Sequence, residues 1–220
     1  MSVKRIAVLV SGGGTNLQAL IDAQRRGEMI NGEIAAVISS KPGAYALERA
    51  ARAGIPAYVT ARKDYPSSRD MTAALVEQLK RLDIDLVVLA GFMVILTEEM
   101  VRAYPNAILN VHPALIPSFC GEGYYGLHVH EKALEYGVKV SGATVHFVSE
   151  ECDGGPIVLQ KAVPVEEGDT PETLQRRIME QAEWVILPEA VSLFCQGRLR
   201  VEGRAVRILK PLNLSKECLQ

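Results

Sequence analysis

Asn110 and His112 stand two residues apart at the end of an apolar run, Ala107-Ile108-Leu109-Asn110-Val111-His112, which Pro113 stops. In a strand alternate side chains share a face, so the amide and the imidazole project to one side while Val111 faces the other. The carboxyl ends of strands in an open parallel sheet are where ligands bind. A hydrogen-bond donor beside a titratable base is a usable pair for acyl transfer there, because the amide can hold a developing oxyanion while the imidazole moves a proton. Alone, the two residues fit equally a plain strand end with an asparagine turn and a surface histidine.

Three other stretches bear on that choice. Residues 5–10 form an apolar run of strand length that leads into Ser11-Gly12-Gly13-Gly14-Thr15-Asn16 and then a helical pattern over 17–26. Strand, glycine loop and helix together offer backbone N–H groups and a helix N-terminus to an anion. The loop lacks the Lys-Ser/Thr of a P-loop, and Leu17 stands where a dinucleotide fingerprint has its third glycine. A single phosphate is therefore the economical ligand, and a turn without one the alternative. The second stretch, Leu86-Val87-Val88-Leu89-Ala90, reads as a strand buried on both faces and stays apolar past Gly91 as Phe92-Met93-Val94-Ile95-Leu96. Such a segment either lines a pocket for a flat ring or is core beneath the sheet. The third, Glu150-Glu151-Cys152-Asp153-Gly154-Gly155-Pro156, is by its residues a tight acidic turn.

The elements that must position these motifs alternate. Strand patterns at 33–39 and 55–59 interleave with helical patterns at 44–53, 68–81 and 97–103, which predicts parallel βαβ units in an open, mainly parallel, doubly wound α/β sheet. Ser68 is read as the cap of the helix ending at Arg81. A cation in its first turn, Arg69, opposes the helix dipole, so either a nearby anion or plain solvation accounts for it. Residues 138–148 alternate as a half-buried strand with Val140, Gly142, Thr144, His146 and Val148 on one side, and 157–163 follow as another strand. Asp169 or Thr170 caps a helix with Pro171 in its first turn; it runs past Trp184 and is kinked or broken near Pro188. Residues 199–201 and 205–209 close the chain as an antiparallel hairpin, and the tail past Pro211 frays. The loop over 113–126, with Phe119, Tyr124 and Tyr125, is long enough to be functional, as a lid or packed on a neighbouring element.

With 220 residues the chain has room for one domain with a full core. Its 48% apolar and 23% charged residues and net charge of −2 leave no field to attract nucleic acid, so small molecules are the expected partners and an anion needs local groups. Cys120, Cys152, Cys195 and Cys218 show no paired spacing and read as reduced thiols of a cytoplasmic protein. No secretory leader is seen, and no apolar run approaches the ~20 residues of a membrane span. His128 and His130 form an H-x-H pair without an acidic or cysteine partner at ligand spacing, so no metal is expected. Monomer and homodimer both remain open.

Four motifs stand in one order: Ser11-Gly12-Gly13-Gly14-Thr15-Asn16-Leu17, Leu89-Ala90-Gly91-Phe92-Met93, Asn110-Val111-His112-Pro113-Ala114-Leu115-Ile116-Pro117, and Asp153-Gly154-Gly155-Pro156. Together they resemble the phosphoribosylglycinamide formyltransferase family. The likeness covers roughly residues 4–198, which divides the chain into a formyltransferase domain over 1–198 and a hairpin and tail over 199–220 packed on it. The resemblance implies a Rossmann-like fold that passes a formyl group from 10-formyltetrahydrofolate to the amine of glycinamide ribonucleotide in purine synthesis, by direct transfer without a metal. It further implies that Asn110, His112 and Asp153 are catalytic, with Asp153 raising the pKa of His112 by its charge. The loop of Gly12, Gly13, Gly14, Thr15 and Asn16 would hold the substrate phosphate and Glu183 its ribose hydroxyls. Folate would lie along Met93, Val94, Ile95, Leu96, Glu150, Glu151 and Cys152, with Arg69 at its glutamate tail. Two departures stand out: Val94 replaces a basic residue common after the Phe-Met pair, and residues 118–125 lengthen the path to Gly126-Leu127-His128.

The chemical rival is formyltetrahydrofolate deformylase, which the same trio would serve with water as acceptor. Methionyl-tRNA formyltransferase would call for a further, more basic RNA-binding domain. A non-catalytic nucleotide-binding module would use the glycine loop and leave Asn110, His112 and Asp153 idle.

Overall fold

A computed structural model describes residues 2–211. In chain order the elements are β1 (Lys4–Val10), α1 (Thr15–Arg25), β2 (Gly32–Ser39), α2 (Tyr45–Arg52), β3 (Ala57–Val59), α3 (Ser68–Arg81), β4 (Leu86–Leu89), α4 (Glu98–Ala103) and β5 (Ile108–His112). There follow α5 (Leu127–Tyr136), β6 (Val140–Phe147), β7 (Ile157–Pro164), α6 (Pro171–Ile178), α7 (Trp184–Cys195), β8 (Leu199–Glu202) and β9 (Ala205–Ile208). Among the described residues the strands form one nine-stranded sheet in the order β3-β2-β1-β4-β5-β6-β7-β9-β8. Strands β1 to β5 pair in parallel, β6 runs antiparallel to both β5 and β7, and the β8–β9 hairpin joins β7 through the pair Ile157 and Ala205.

Because β1 lies between β2 and β4, the chain winds out to β3 on one side and to β5 on the other. That reversal of direction opens a crevice at the carboxyl ends of β1 and β4. Alternation along β1 fixes the layers. Ile6, Val8 and Val10 share a core with Leu17, Leu20, Leu174, Ile178 and Leu187 of α1, α6 and α7, while Ala7 and Leu9 meet Leu75 and Leu79 of α3 and Met100 of α4. Both faces are covered, which is why this strand carries no polar alternation.

Three local expectations are corrected. Ser67, not Ser68, caps α3: its extended backbone turns Oγ to accept the Asp70 N–H at 3.1 Å, three residues on, and leaves Ser68 as the first helical residue. Strand β6 is buried on both faces except at Val140, because it lies inside the sheet between β5 and β7. The late helix departs from α geometry not at Pro188 but in a wide π turn over Met179–Glu183, and Pro188 sits within α7. Pro188 has no N–H to offer the Trp184 carbonyl four residues back, yet the helix continues through it to Cys195. The expected fraying past Pro211, and Cys218, lie outside the described residues. No described helix is long and apolar enough to cross a membrane.

Candidate active site

Strand β5 delivers Asn110 and His112 to the crevice, and the turn between β6 and β7 brings Asp153 over them. Asp153 Oδ1 lies 3.4 Å from Asn110 Nδ2, and its Oδ2 lies 3.5 Å from His112 Nδ1. The turn holds this position tightly: Gly155 packs so close to the Phe147 carbonyl that a Cβ there would collide with it. Asp153 itself takes a left-handed φ of 52°, a conformation aspartate tolerates better than most residues.

The electrostatics follow from burial. The His112 and Asp153 side chains are 5% and 10% exposed. Burial lowers the His112 pKa, the Asp153 charge raises it, and the balance falls below the ordinary 6.5. The overall shift is downward because an imidazolium at this depth loses its water. For Asp153, burial pushes the carboxyl up, but the His146 and His112 imidazoles beside it and the Gly121 N–H together bring it below the usual 3.8. A neutral imidazole thus faces an ionised carboxylate, and a proton gained at Nδ1 would convert that contact into an ion pair.

The loop after β5 is seated on this pair. Thr144 Oγ1 accepts the Ile116 N–H at 3.1 Å and donates to the Ala114 carbonyl at 2.7 Å, anchoring the start of the loop. Further on, the Phe119 carbonyl accepts from His112 Nε2 at 2.8 Å, and the Gly121 N–H donates to Asp153 Oδ2 at 2.9 Å. The Phe119 ring stands edge-on to Tyr136 with centroids 5.9 Å apart, so the loop is also packed on α5.

Two histidines to which the sequence assigned no part in this site lie beside the trio. His146, opposite Asn110 in the β5–β6 register and 1% exposed, places Nε2 3.2 Å from Asn110 Nδ2 and 3.4 Å from Asp153 Oδ1. His130 is wholly buried in α5, and burial, with His112 adding to it, lowers its pKa to about 4. His128 is instead exposed and meets Glu131 at 3.0 Å. Two positions apart on a helix the rings point to nearly opposite sides, so this pair does not converge on one ion.

Across the crevice the glycine loop is fastened to α2. The Ala46 N–H donates to the Gly12 carbonyl at 3.1 Å and Arg49 Nε donates to the Gly13 carbonyl at 2.8 Å. In a trans peptide the N–H points opposite to the carbonyl, so the Gly13 and Gly14 N–H groups turn away from α2. Gly14 begins α1 with φ of 72°, and a Cβ there would stand 2.7 Å from Ala46 Cβ, whereas Gly12 and Gly13 have open space. Next in line, Asn16 Nδ2 donates to Glu183 Oε2 at 2.6 Å, and Thr15 Oγ1 faces Met179 Sδ at 3.9 Å. Glu183 lies in the π turn and is 6% exposed; burial, against the Asn16 hydrogen bond, pushes its pKa up to about 7.

The apolar segment after β4 divides as its alternation dictates. Phe92 and Leu96 pack into the core while Met93 and Ile95 are 51% and 76% exposed, with Val94 half-buried. Ser11 Oγ accepts the Met93 N–H at 2.8 Å and lies 2.6 Å from Ser40 Oγ, so this segment and the glycine loop share one anchor. Glu150, Glu151 and Cys152 are exposed beside Asp153. Arg69 meets Glu99 at 2.7 Å, which supplies the anion its place in α3 called for.

Residues 4–191 match the family described as formyl transferase. The chain belongs to that family. Among its formyl transferase relatives, the phosphoribosylglycinamide formyltransferase of Haemophilus influenzae is 46% identical over 200 residues, 91% of this chain and 91% of that protein. The trifunctional purine biosynthetic protein adenosine-3 of Drosophila pseudoobscura is 46% identical over 198 residues, but the chain spans only 14% of its length. Glycinamide ribonucleotide transformylase 1 from Symbiobacterium toebii superimposes with a TM-score of 0.89 at 52% identity, covering 94% of this chain and 95% of that one. A formyltetrahydrofolate deformylase from Pseudomonas syringae has the same fold at a TM-score of 0.83 and 28% identity, covering 94% of this chain and 66% of that one.

Proposed function

We propose that this formyl transferase passes a formyl group from 10-formyltetrahydrofolate to the amine of glycinamide ribonucleotide. The observation that carries the reading is the meeting of Asn110, His112 and Asp153 at the carboxyl end of β5, at the same end of the sheet as the glycine loop after β1 and the apolar segment after β4, in a chain whose full-length relatives are phosphoribosylglycinamide formyltransferases. The Gly13 and Gly14 N–H groups and the start of α1 would bind the phosphate. Glu183, already a hydrogen-bond acceptor, would take a ribose hydroxyl. The exposed Met93 and Ile95, with Val94, would offer the apolar ledge a folate ring needs, the polar turn of Glu150, Glu151 and Cys152 would border it, and the exposed Arg69 would offer a cation for its carboxylates.

In the reaction the amine nitrogen attacks the formyl carbon, a new C–N bond forms, and the bond to the folate nitrogen breaks. Negative charge gathers on the formyl oxygen, and Asn110 would donate an N–H to it, a contribution typically worth ~10²–10³ in rate. The attacking amine has a proton to lose and the departing folate nitrogen one to gain. His112 would carry it, with Asp153 stabilising the imidazolium meanwhile.

The competing deformylase reading shares the fold at lower identity. An assay with and without glycinamide ribonucleotide separates the two. Folate release in step with formylated ribonucleotide is the expected result. Formate release in its absence at the same rate would assign the chain to hydrolysis, and ligand binding without turnover to a passive module.

A further inference from the structure

Asn110 can hold an oxyanion only if its amide is turned with nitrogen, not oxygen, toward the substrate. An asparagine amide is nearly symmetric in shape, so some neighbour must choose the orientation. His146 Nδ1 lies 2.9 Å from the Phe147 carbonyl. A carbonyl only accepts, so Nδ1 carries the proton; in a neutral ring Nε2 is then a lone pair. Nε2 faces the Asn110 side chain at 3.2 Å, the shortest side of a triangle whose other two sides, to Asp153 Oδ1, are both 3.4 Å. Two acceptors, Nε2 and Oδ1, therefore converge on one point, and only a hydrogen on Nδ2 of Asn110 satisfies both. With Nε2 unprotonated, Oδ1 of Asn110 there would set three acceptors together; with Nε2 protonated, the amide would instead turn its oxygen to that N–H, so the proton on Nε2 and the orientation of Asn110 are one choice.

We infer that His146 is a positioning residue for formyl transfer: its unprotonated Nε2 locks the Asn110 amide so that one Nδ2 hydrogen is shared with Asp153 and the other is free for the oxyanion. The lock is rigid because both residues lie on paired strands, directly opposite each other, and His146 is 1% exposed. It makes no contact with substrate and acts through Asn110 alone.

The inference rests on the formyl-transfer reading, and its test separates the two. His146→Leu should lower kcat about tenfold, less than the ~10²–10³ of losing an oxyanion donor outright, because the amide is freed to turn but remains present. KM for the ribonucleotide should stay within about twofold, since uniform binding is untouched. In an Asn110→Ala background the same change should cost nothing further, and His146→Gln, which restores an acceptor at the Nε2 position, should recover most of the rate. Losses that multiply in the double variant would overturn the inference. Should the leucine variant fail to fold, nitrogen NMR of the wild-type protein with labelled histidine decides independently of turnover. His146 should show a protonated Nδ1 and an unprotonated Nε2 near neutral pH, and a protonated Nε2 would remove the lock. If the wild-type protein does not transfer formyl at all, the functional reading fails while the nitrogen spectrum still answers for His146.

Discussion

Asp153 turns one carboxylate oxygen to His112 Nδ1 at 3.5 Å while the Gly121 N–H holds that same oxygen at 2.9 Å. The charge is thereby fixed beside the ring, and its effect on the ring has a definite sign. Removing it disfavours imidazolium, so Asp153→Asn should move the His112 pKa further below 6.5 than burial already has. NMR titration of the imidazole measures this directly, and the acid limb of the kcat/KM profile should shift to lower pH with it. A pKa that stays or rises would show that the carboxylate does not act on the ring electrostatically.

His112→Ala should reduce turnover at least ~10²-fold, the lower range for a general acid–base, with KM for folate little changed. Steady-state kinetics suffice. A variant with near-normal turnover would take the imidazole out of the mechanism.

Adjacent glycines should respond differently to substitution. Gly13 has open space around its Cβ position, so Gly13→Val leaves the fold intact and projects into the place proposed for phosphate. KM for the ribonucleotide should rise at least ~10-fold with folate KM unchanged. Gly14 holds φ of 72° against Ala46, so Gly14→Ala should instead cost about 1–3 kcal/mol of stability, read by urea denaturation. A rise in folate KM alone for the Gly13 variant would mean that the two pockets are exchanged.

Glu183 links stability to pH. Its carboxyl pKa rises from 4.5 to about 7 on folding, so the folded protein keeps a proton that the unfolded chain gives up. Below pH 4.5 both states are protonated and nothing is lost; as pH climbs from there through about 7, stability falls, by on the order of 3 kcal/mol in total. Glu183→Gln removes the ionisation and keeps an acceptor for Asn16. It should therefore match the wild type near pH 4.5 and exceed it near pH 8 in urea denaturation. Parallel pH profiles for the two proteins would show that the carboxyl is ionised in the folded state.

Much of this architecture is local and could be read from the chain. The β1 run, its glycine loop and the Asn110–His112 strand end follow from apolar spacing and from where glycine and proline interrupt it. Pairing across the sheet does not. Nothing in residues 138–148 announces that β6 lies between two strands, so its alternation looked half-buried and His146 carried no role until register put it opposite Asn110. Arg69 illustrates the same limit, since its anion comes from α4, a helix away in sequence. The position of Asp153 over the crevice came from the order of motifs; its own residues announce only a turn.

The hydrogen bond from Asn16 to Glu183 joins positions 167 residues apart. Closing so long a loop costs little more than closing one half its length, because the entropy grows only with the logarithm. Its timing during synthesis is another matter, for a chain emerges from its N-terminus and folds as it appears. A nascent chain that has reached Asp153 possesses its proposed catalytic trio and its glycine loop, yet Glu183 and the helix that carries it are still to be made. The pocket proposed for the ribose is therefore the last part of the site to be finished, and a chain arrested before the π turn at Met179 would have the groups proposed to move a proton without the one proposed to meet the sugar.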